Sequence, residues 1–208
     1  MEIYQKISLL KLVPVVAIED AEKAIPLALT LLNSNLPILE ITFRTSEAAK
    51  SISLIREEFP ELIIGAGTIL TIEHVKSALN AGSMFMVSPG FNPTVVDYCI
   101  ENQIPVIPGI NSPTFIEWGL EKGLTHFKFF PAEVSGGPKM LKTFLGPYPQ
   151  AKFLPTGGIN NQNLIKYLEL DNVFACGGSW LVKKELISAH KFNEVEKGID
   201  KALKLIRP

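Results

Sequence analysis

Residues 38–66 read ILEITFRTSEAAKSISLIREEFPELIIGA, an apolar run, an amphipathic stretch of about three turns and a second apolar run. Short apolar runs rich in β-branched residues are typical of strands that are buried on both faces. The stretch between them is long enough for a helix that connects two parallel strands. The segment therefore predicts a strand, a helix and a second, parallel strand.

The same pattern recurs along the whole chain. Eight apolar runs start every 21 to 26 residues, at residues 13–18, 38–43, 62–66, 84–88, 105–108, 126–130, 152–156 and 173–176. A further helix is expected before the first run, and residues 192–206 are expected to form the last helix. Without a linker or a change of composition, eight such units predict one α/β domain over residues 1–208, a (β/α)8 TIM barrel with an extra N-terminal helix. An open doubly wound sheet is the alternative architecture.

The composition excludes several classes of function. The chain has 20 Lys plus Arg against 21 Asp plus Glu and no run of like charge, so we expect no binding to nucleic acid or membranes. Neither a signal peptide nor an apolar run of the ~18 residues that a membrane span needs is present in the sequence. Two cysteines and three histidines show no metal-ligand spacing. We expect a soluble cytoplasmic protein without metal or cofactor.

Polar side chains alternate with apolar ones in the second predicted strand. Glu40, Thr42 and Arg44 share one face of this strand, and the apolar residues between them share the other. In a barrel the polar face points inward, near the end where the active site lies. Glu40 and Arg44 are about 13 Å apart along an extended strand, from ~3.3 Å per residue, so each needs another partner. A structural ion network and a catalytic carboxylate are both compatible with this pattern.

A lysine lies in the middle of the sixth predicted strand, HFKFFP at residues 126–131. Such a lysine is ordinarily solvated or extends its ammonium group to the surface. The outside of a barrel strand is covered by helices, so Lys128 must point inward among aromatic rings, where burial disfavours the ammonium form. A neutral amine can attack a ketone, which makes Lys128 a candidate Schiff-base nucleophile.

Glycines follow the last two predicted strands. One loop carries Thr156, Gly157 and Gly158, and the other carries Gly177, Gly178 and Ser179. Glycine lets backbone N–H groups approach a phosphate closely, and barrels often bind phosphate in these two loops. The alternative is two tight turns that need a positive φ.

Six motifs, in chain order, resemble those of the aldolases of 2-keto-3-deoxy-6-phosphogluconate and 4-hydroxy-2-oxoglutarate. They are LEITFR (39–44), GAGT (65–68), VSPG (87–90), FKFFPAEVSGG (127–137), PTGGI (155–159) and GGSW (177–180). The likeness covers residues 13–182. It implies a (β/α)8 barrel, usually a homotrimer, and a metal-independent class I lyase of the Entner-Doudoroff pathway. Its substrate would be a small phosphorylated 2-keto acid.

The resemblance also implies a role for individual residues. Lys128 would form the Schiff base, and Glu40 would be the general acid/base. Arg44 and Thr68 would hold the carboxylate of pyruvate, with Pro89 and Phe130 lining the pocket. The remaining substrate-binding positions lie at the phosphate end, namely Thr156, Gly157, Gly158, Gly178 and Ser179. The implied reaction cleaves 2-keto-3-deoxy-6-phosphogluconate to pyruvate and glyceraldehyde 3-phosphate, with 4-hydroxy-2-oxoglutarate as a further substrate.

Two positions depart from the family pattern. Asn35 replaces a glycine, which the fold should tolerate because Asn also adopts a left-handed helix end. Phe115 stands where a Glu is expected, so a capping box is missing from the helix that follows the fifth strand.

Alternative functions stay open at this point. They are an aldolase for 2-keto-3-deoxy-6-phosphogalactonate, a phosphate-binding isomerase or epimerase, and a non-catalytic sugar-phosphate-binding barrel. An isomerase or epimerase would not need a lysine buried among phenylalanines, and the intact pair of Glu40 and Lys128 counts against a non-catalytic barrel.

Overall fold

Parallel strands form the centre of the molecule. The structure is a computed structural model that describes residues 2–206, so Met1, Arg207 and Pro208 of the predicted domain lie outside the described residues. The strands are β1 (Leu12–Val16), β2 (Ile38–Thr42), β3 (Ile63–Gly67), β4 (Phe85–Val87), β5 (Val106–Ile107), β6 (Gly109–Ile110), β7 (His126–Phe129), β8 (Lys152–Pro155) and β9 (Cys176–Gly178). One sheet has the order β5-β4-β3-β2-β1-β9, and the other has the order β6-β7-β8.

Helices connect the strands. They are α1 (Ile3–Leu10), α2 (Ala24–Asn33), α3 (Ala48–Glu58), α4 (Ile72–Asn80), α5 (Pro93–Glu101), α6 (Pro113–Glu121), α7 (Gly137–Phe144), α8 (Leu164–Leu168), α9 (Lys184–Ser188) and α10 (Phe192–Ile206). A short 3₁₀ turn, Ala21–Lys23, precedes α2. Helix α1 comes before the first strand and α10 closes the chain, as predicted.

The α/β class and the parallel strands are confirmed, and the six-stranded sheet forms a half-barrel. The fifth predicted strand is divided at Pro108 into β5, which pairs with β4, and β6, which pairs with β7. Proline has no N–H to donate to a ladder, so the strand changes its partner at this residue. Because of this division, the sixth predicted strand is β7.

The last predicted strand, 173–176, is displaced towards its C-terminal end. Regular pairing involves Cys176–Gly178, opposite Leu12–Pro14 of β1, whereas Val173 makes only an isolated bridge with Phe153. The register with β1 therefore decides where β9 begins, and this register is not visible in the apolar run itself.

Side chains next to the helix ends form capping hydrogen bonds at several helix starts. The Thr71 hydroxyl accepts a hydrogen bond from the His74 N–H at 3.2 Å, and the Asp20 carboxylate accepts one from the Glu22 N–H at 3.1 Å. Asn35 has a φ of 54°, the left-handed conformation expected for it. Ser112 makes no side-chain capping bond at the start of α6, in agreement with the missing capping box.

Candidate active site

The two residues predicted to be catalytic lie side by side inside the fold. Lys128 of β7 is 4% exposed, and Glu40 of β2 is 0% exposed. The Lys128 Nζ donates to the Glu40 Oε1 at 3.2 Å. Glu40 thus has the partner that the strand geometry required, and this partner is 88 positions away in the chain.

Glycine in β3 makes room for the Glu40 carboxylate. A Cβ at Gly67 would lie 2.1 Å from the Glu40 Oε1, which no real side chain can do. The second carboxylate oxygen, Oε2, is buried and has no hydrogen-bond partner among the described residues. A buried carboxylate oxygen without a partner is costly, so this atom is available for a proton-donating group.

An aromatic ring lies next to the amine of Lys128. The Nζ is 5.5 Å from the centroid of the Phe130 ring, which directly follows β7. A ring at this distance attracts a cation through its quadrupole and excludes water from one side of the amine. Of the aromatic surroundings expected for Lys128, the Phe130 ring is the one that the described contacts place next to its amine.

Arg44 lies differently from the expectation for a continuous strand. Strand β2 ends at Thr42, so Arg44 is in the exposed segment beyond it. Its Nε donates to the Thr68 Oγ1 at 3.1 Å, and Thr68 has a φ of 57°. The bond joins the two residues that the resemblance assigns to the same carboxylate.

A cavity of about 680 Å³ opens at the carboxyl ends of β1, β2, β8 and β9. Seven of the predicted substrate-binding residues line it, namely Arg44, Phe130, Thr156, Gly157, Gly158, Gly178 and Ser179. Four predicted site residues do not line this cavity: Lys128, Glu40, Thr68 and Pro89. Two of them contact residues that do, since Lys128 lies next to Phe130 and Thr68 accepts a hydrogen bond from Arg44. Pro89 lies against Gly109, where a Cβ would be 2.2 Å from the Pro89 carbonyl oxygen.

The two glycine loops need glycine for different reasons. Gly157 and Gly158 have φ values of 99° and 83°, as a tight turn requires. Gly178 instead lies beneath Trp180, where a Cβ would be 2.3 Å from the indole ring. The Trp180 Nε1 donates to the Asn161 Oδ1 at 2.9 Å, and this bond links the two loops. A tight turn thus explains the glycines at 157 and 158, and close packing against Trp180 explains Gly178. Both explanations are compatible with phosphate binding by these loops.

The residues of the cavity wall that were not identified from the sequence as site residues include Asn160, Trp180, Lys183 and Lys184. Asn160 directly follows PTGGI, Trp180 is the last residue of GGSW, and Lys183 and Lys184 come three and four residues after it. Their closeness to the two glycine motifs is the signal that could have found them. The position of the Trp180 ring over Gly178 indicates a packing role for this residue. Among the described lining residues the charged ones are Arg44, Lys183 and Lys184, so this wall is cationic.

Neither cysteine is among the residues that line this cavity. Burial raises the pKa of the Cys99 thiol to about 11, and burial also raises the pKa of Cys176. Both thiols therefore stay protonated and unreactive at neutral pH. Within residues 2–206, no group of three His, Cys, Asp or Glu side chains could hold a metal ion. No helix in the same part of the chain is long and apolar enough to cross a membrane.

Comparison with known proteins identifies the family. A family profile described as "KDPG and KHG aldolase" matches residues 3–198. The chain belongs to the KDPG and KHG aldolase family. It is 45% identical over 206 residues to the 2-dehydro-3-deoxy-phosphogluconate aldolase of Haemophilus influenzae, covering 99% of this chain and 97% of that protein. It is 40% identical to the KHG/KDPG aldolase of Escherichia coli K12, covering 89% of this chain and 87% of the relative.

A solved structure of the same family shares the fold. The crystal structure of KDPG aldolase from Legionella pneumophila, with pyruvate captured at low pH as a covalent carbinolamine intermediate, has a TM-score of 0.90 and 40% identity. The match covers 92% of this chain and 93% of that one. All strands of the KDPG and KHG aldolase fold described above lie within the region that the family profile matches.

Proposed function

We propose that this chain is a class I aldolase that cleaves 2-keto-3-deoxy-6-phosphogluconate to pyruvate and glyceraldehyde 3-phosphate through a Schiff base on Lys128. The observation that carries the proposal is the buried pair of Lys128 and Glu40, at 3.2 Å, next to the cationic cavity. An amine and a carboxylate in contact inside an apolar core combine a nucleophile with a group that moves protons.

The reaction begins with proton transfer from the ammonium group of Lys128 to Glu40. The free Nζ then adds to the C2 ketone, one Nζ proton moves to the C2 oxygen to give a carbinolamine, and Glu40 donates its proton to the same oxygen, which leaves as water. The product is a cationic imine, which accepts electrons from the bond that breaks. The short distance between Nζ and Oε1 supports Glu40 as the group that serves this step.

Cleavage requires a base at the C4 hydroxyl. The Glu40 carboxylate takes this proton, directly or through a water molecule, while the C3–C4 bond breaks and its electrons form the enamine. Glyceraldehyde 3-phosphate leaves, and protonation of the enamine followed by hydrolysis releases pyruvate and the amine. The buried Oε2, which has no hydrogen-bond partner within residues 2–206, supports this role, because it has a free lone pair for a hydroxyl or water.

The two ends of the substrate are held by different loops in this proposal. Arg44 and Thr68 bind the carboxylate, for which a planar guanidinium is suited, while Pro89 and Phe130 border the pyruvate moiety. Backbone and hydroxyl groups at Thr156, Gly157, Gly158, Gly178 and Ser179 bind the phosphate. Their common position along one cavity supports the assignment.

The finer architecture belongs to the same proposal. We infer that the two sheets close into a (β/α)8 barrel, because β5 and β6 are separated by Pro108 alone and an isolated bridge joins Thr156 to Gly177. A homotrimer is what the family resemblance implies, and a cytoplasmic location is what the composition predicts.

Borohydride trapping tests the central step. Incubation with pyruvate and borohydride should add one pyruvate-derived group at Lys128 and inactivate the enzyme irreversibly, as peptide mapping and a cleavage assay would show. Lys139 and Lys142, which lie on the neighbouring helix α7, are the internal controls. Modification of either one in place of Lys128 contradicts the assignment, and activity lost to EDTA and restored by a metal would indicate a class II mechanism.

The phosphate assignment has its own test. Replacing Gly158 or Ser179 by a bulky residue should remove hydrogen bonds to phosphate, each contributing roughly 1.5 to 3 kcal/mol. Use of the phosphorylated substrate should fall far more than trapping of pyruvate. Equal losses with phosphorylated and unphosphorylated substrates would mean that these loops only shape the fold.

A second substrate is supported by one observation. The Escherichia coli relative, 40% identical to this chain, is named for both 4-hydroxy-2-oxoglutarate and the phosphorylated sugar acid. Both molecules share the 2-keto acid end that Lys128, Glu40 and Arg44 would contact. Release of glyoxylate from 4-hydroxy-2-oxoglutarate is the assay for this activity.

A further inference from the structure

We propose that Lys183 and Lys184 set the preference of this enzyme for phosphorylated over unphosphorylated 2-keto acids, and that Glu19 limits the contribution of Lys184. This inference rests on the proposed aldolase function and deepens it. It concerns charges around the phosphate end of the cavity, beyond the backbone and hydroxyl groups assigned to the phosphate itself.

Both lysines belong to the wall that carries the glycine loops. They follow Val182 at the start of α9 and line the cavity of about 680 Å³ together with Gly158, Gly178 and Ser179. Both are exposed, so they can follow a ligand that enters from solvent. No Asp or Glu is among the described residues that line this cavity. A ligand with a dianionic end therefore meets only positive charge on this wall.

The two lysines differ in their partners. The Lys184 Nζ is 2.7 Å from the Glu19 Oε1, an exposed pair that joins α9 to the segment after β1. Of the described carboxylates, none lies within 4 Å of the Lys183 Nζ. Lys183 thus has no carboxylate partner among the described residues, whereas the charge of Lys184 is partly compensated by Glu19.

A neighbouring cavity does not change this difference. Lys183 also borders a shallow cavity of about 580 Å³, in which Glu194 is the acidic residue among those described. The Glu194 carboxylate is paired with Lys191 at 3.1 Å. Lys183 therefore remains the uncompensated cation between the two cavities.

The positive charges of Lys183 and Lys184 should favour the phosphorylated substrate, because the two substrates differ in charge. Each carries the 2-keto acid group that reacts with Lys128, but the far end of one is a phosphate with a charge near −2 at neutral pH, and the far end of the other is a carboxylate with a charge of about −1. Exposed charges interact weakly and are screened by salt, so the effect should be modest and should decrease with ionic strength. The lysines should change the binding of the phosphorylated substrate and its KM, and they should have little influence on kcat.

The test compares kcat/KM for 2-keto-3-deoxy-6-phosphogluconate and 4-hydroxy-2-oxoglutarate in matched variants. Lys183→Gln should lower the ratio of the two values roughly 2- to 5-fold, the effect of one solvent-exposed charge. Lys183→Arg should restore it. Glu19→Gln should shift the ratio in the opposite direction, roughly 1.5- to 3-fold, because it frees Lys184. Lys204→Gln removes an equal charge from α10, at the opposite end of the strands, and should not change the ratio.

The outcomes separate this inference from the proposed function. If wild-type enzyme neither traps pyruvate nor cleaves either substrate, the aldolase function itself fails. If both substrates are cleaved but Lys183→Gln leaves their ratio unchanged, the inference is wrong while the function stands. A shift of the same sign in Lys183→Gln and Glu19→Gln, or an effect that does not decrease between low and high salt, would also overturn it.

Discussion

The two ends of strand β7 show opposite chemistry within three residues. At its first residue, the His126 ring stacks on Tyr4 of α1 at 4.3 Å and meets the edge of the Phe174 ring at 5.0 Å. Two residues later, Lys128 contacts Glu40 in the buried ion pair. Because residues i and i+2 of a strand share one face, both side chains point towards the same interior.

The amino ends of the strands carry contacts that stabilise the fold, and the carboxyl ends carry the reactive groups. At the amino end, a helix adds aromatic rings and a hydrogen bond from the Tyr4 hydroxyl to the Val106 carbonyl at 3.3 Å. At the carboxyl end, the residues that come together are a buried charge pair and glycines in left-handed turns, which contribute little to packing. This division is the one expected of barrel-type enzymes, where catalysis occupies the carboxyl ends of the strands. Substitutions at the two ends should therefore fail in different assays.

The largest effect is expected for Lys128→Ala. This change removes the atom that forms the covalent bond, so imine trapping with pyruvate and borohydride should be abolished and cleavage should fall to background. Removal of one partner also leaves Glu40 buried and unpaired, so folding must be checked by circular dichroism. A folded Lys128→Ala protein that still traps pyruvate would contradict the assignment of Lys128 as the Schiff-base residue.

Glu40→Gln is expected to have the next largest effect. The amide preserves the shape of the pocket but cannot accept a proton, so cleavage should slow roughly 10²- to 10⁴-fold, the usual contribution of a positioned acid or base. The variant should still trap pyruvate, although more slowly, because imine formation also involves proton transfers.

Exchange of the methyl protons of pyruvate with D₂O sharpens this result. The exchange passes through the same enamine as cleavage, so NMR should show that it also slows in Glu40→Gln. Near-wild-type exchange and cleavage would make Glu40 a structural ion and would require another base on the inner face of the strands.

Tyr4→Ala examines the opposite end of the strands. Loss of the stacked ring and of its hydrogen bond should lower the free energy of unfolding by about 1 to 3 kcal/mol, measured by urea titration. The kcat should stay within about twofold of wild type, because Tyr4 is remote from the carboxyl ends of the strands. Tyr4→Phe, which keeps the ring, is the control and should lose less stability. A large fall in kcat with unchanged stability would contradict the division between the two ends.

The smallest effect concerns pH. Burial lowers the pKa of His126, and nearby Lys152 lowers it further while Glu2 opposes the shift. The unfolded chain therefore binds a proton at higher pH than the folded chain, so stability is lost as the pH falls from about 6.5 towards the folded pKa of His126. Urea unfolding of wild type and His126→Phe at pH 7.5 and 5.5 measures this, and wild type should lose more stability. Equal losses would show that His126 does not contribute.

Several features of the fold were accessible from the sequence because they depend on local patterns. Apolar runs at regular spacing predicted the strands, and the capping bonds of Thr71 and Asp20 are equally local, because each is made within three residues of its side chain. Pro108 was visible too, but its effect was not, since the partner strands on its two sides are separate parts of the chain. The displaced start of β9 has the same origin, because the register with β1 is a non-local property.

The candidate site divides in the same way. By itself, the sequence determined which residue types had unusual chemistry for their position: a lysine among phenylalanines, a carboxylate on an apolar strand and glycines after two strands. The tertiary structure decided that Lys128 meets Glu40, that Arg44 binds Thr68 beyond the end of β2, and that Lys183 joins the wall of the cavity. Side-chain chemistry and periodicity are local and can be read along the chain. Contacts between distant residues follow from strand order, register and side-chain direction, which only the folded chain establishes.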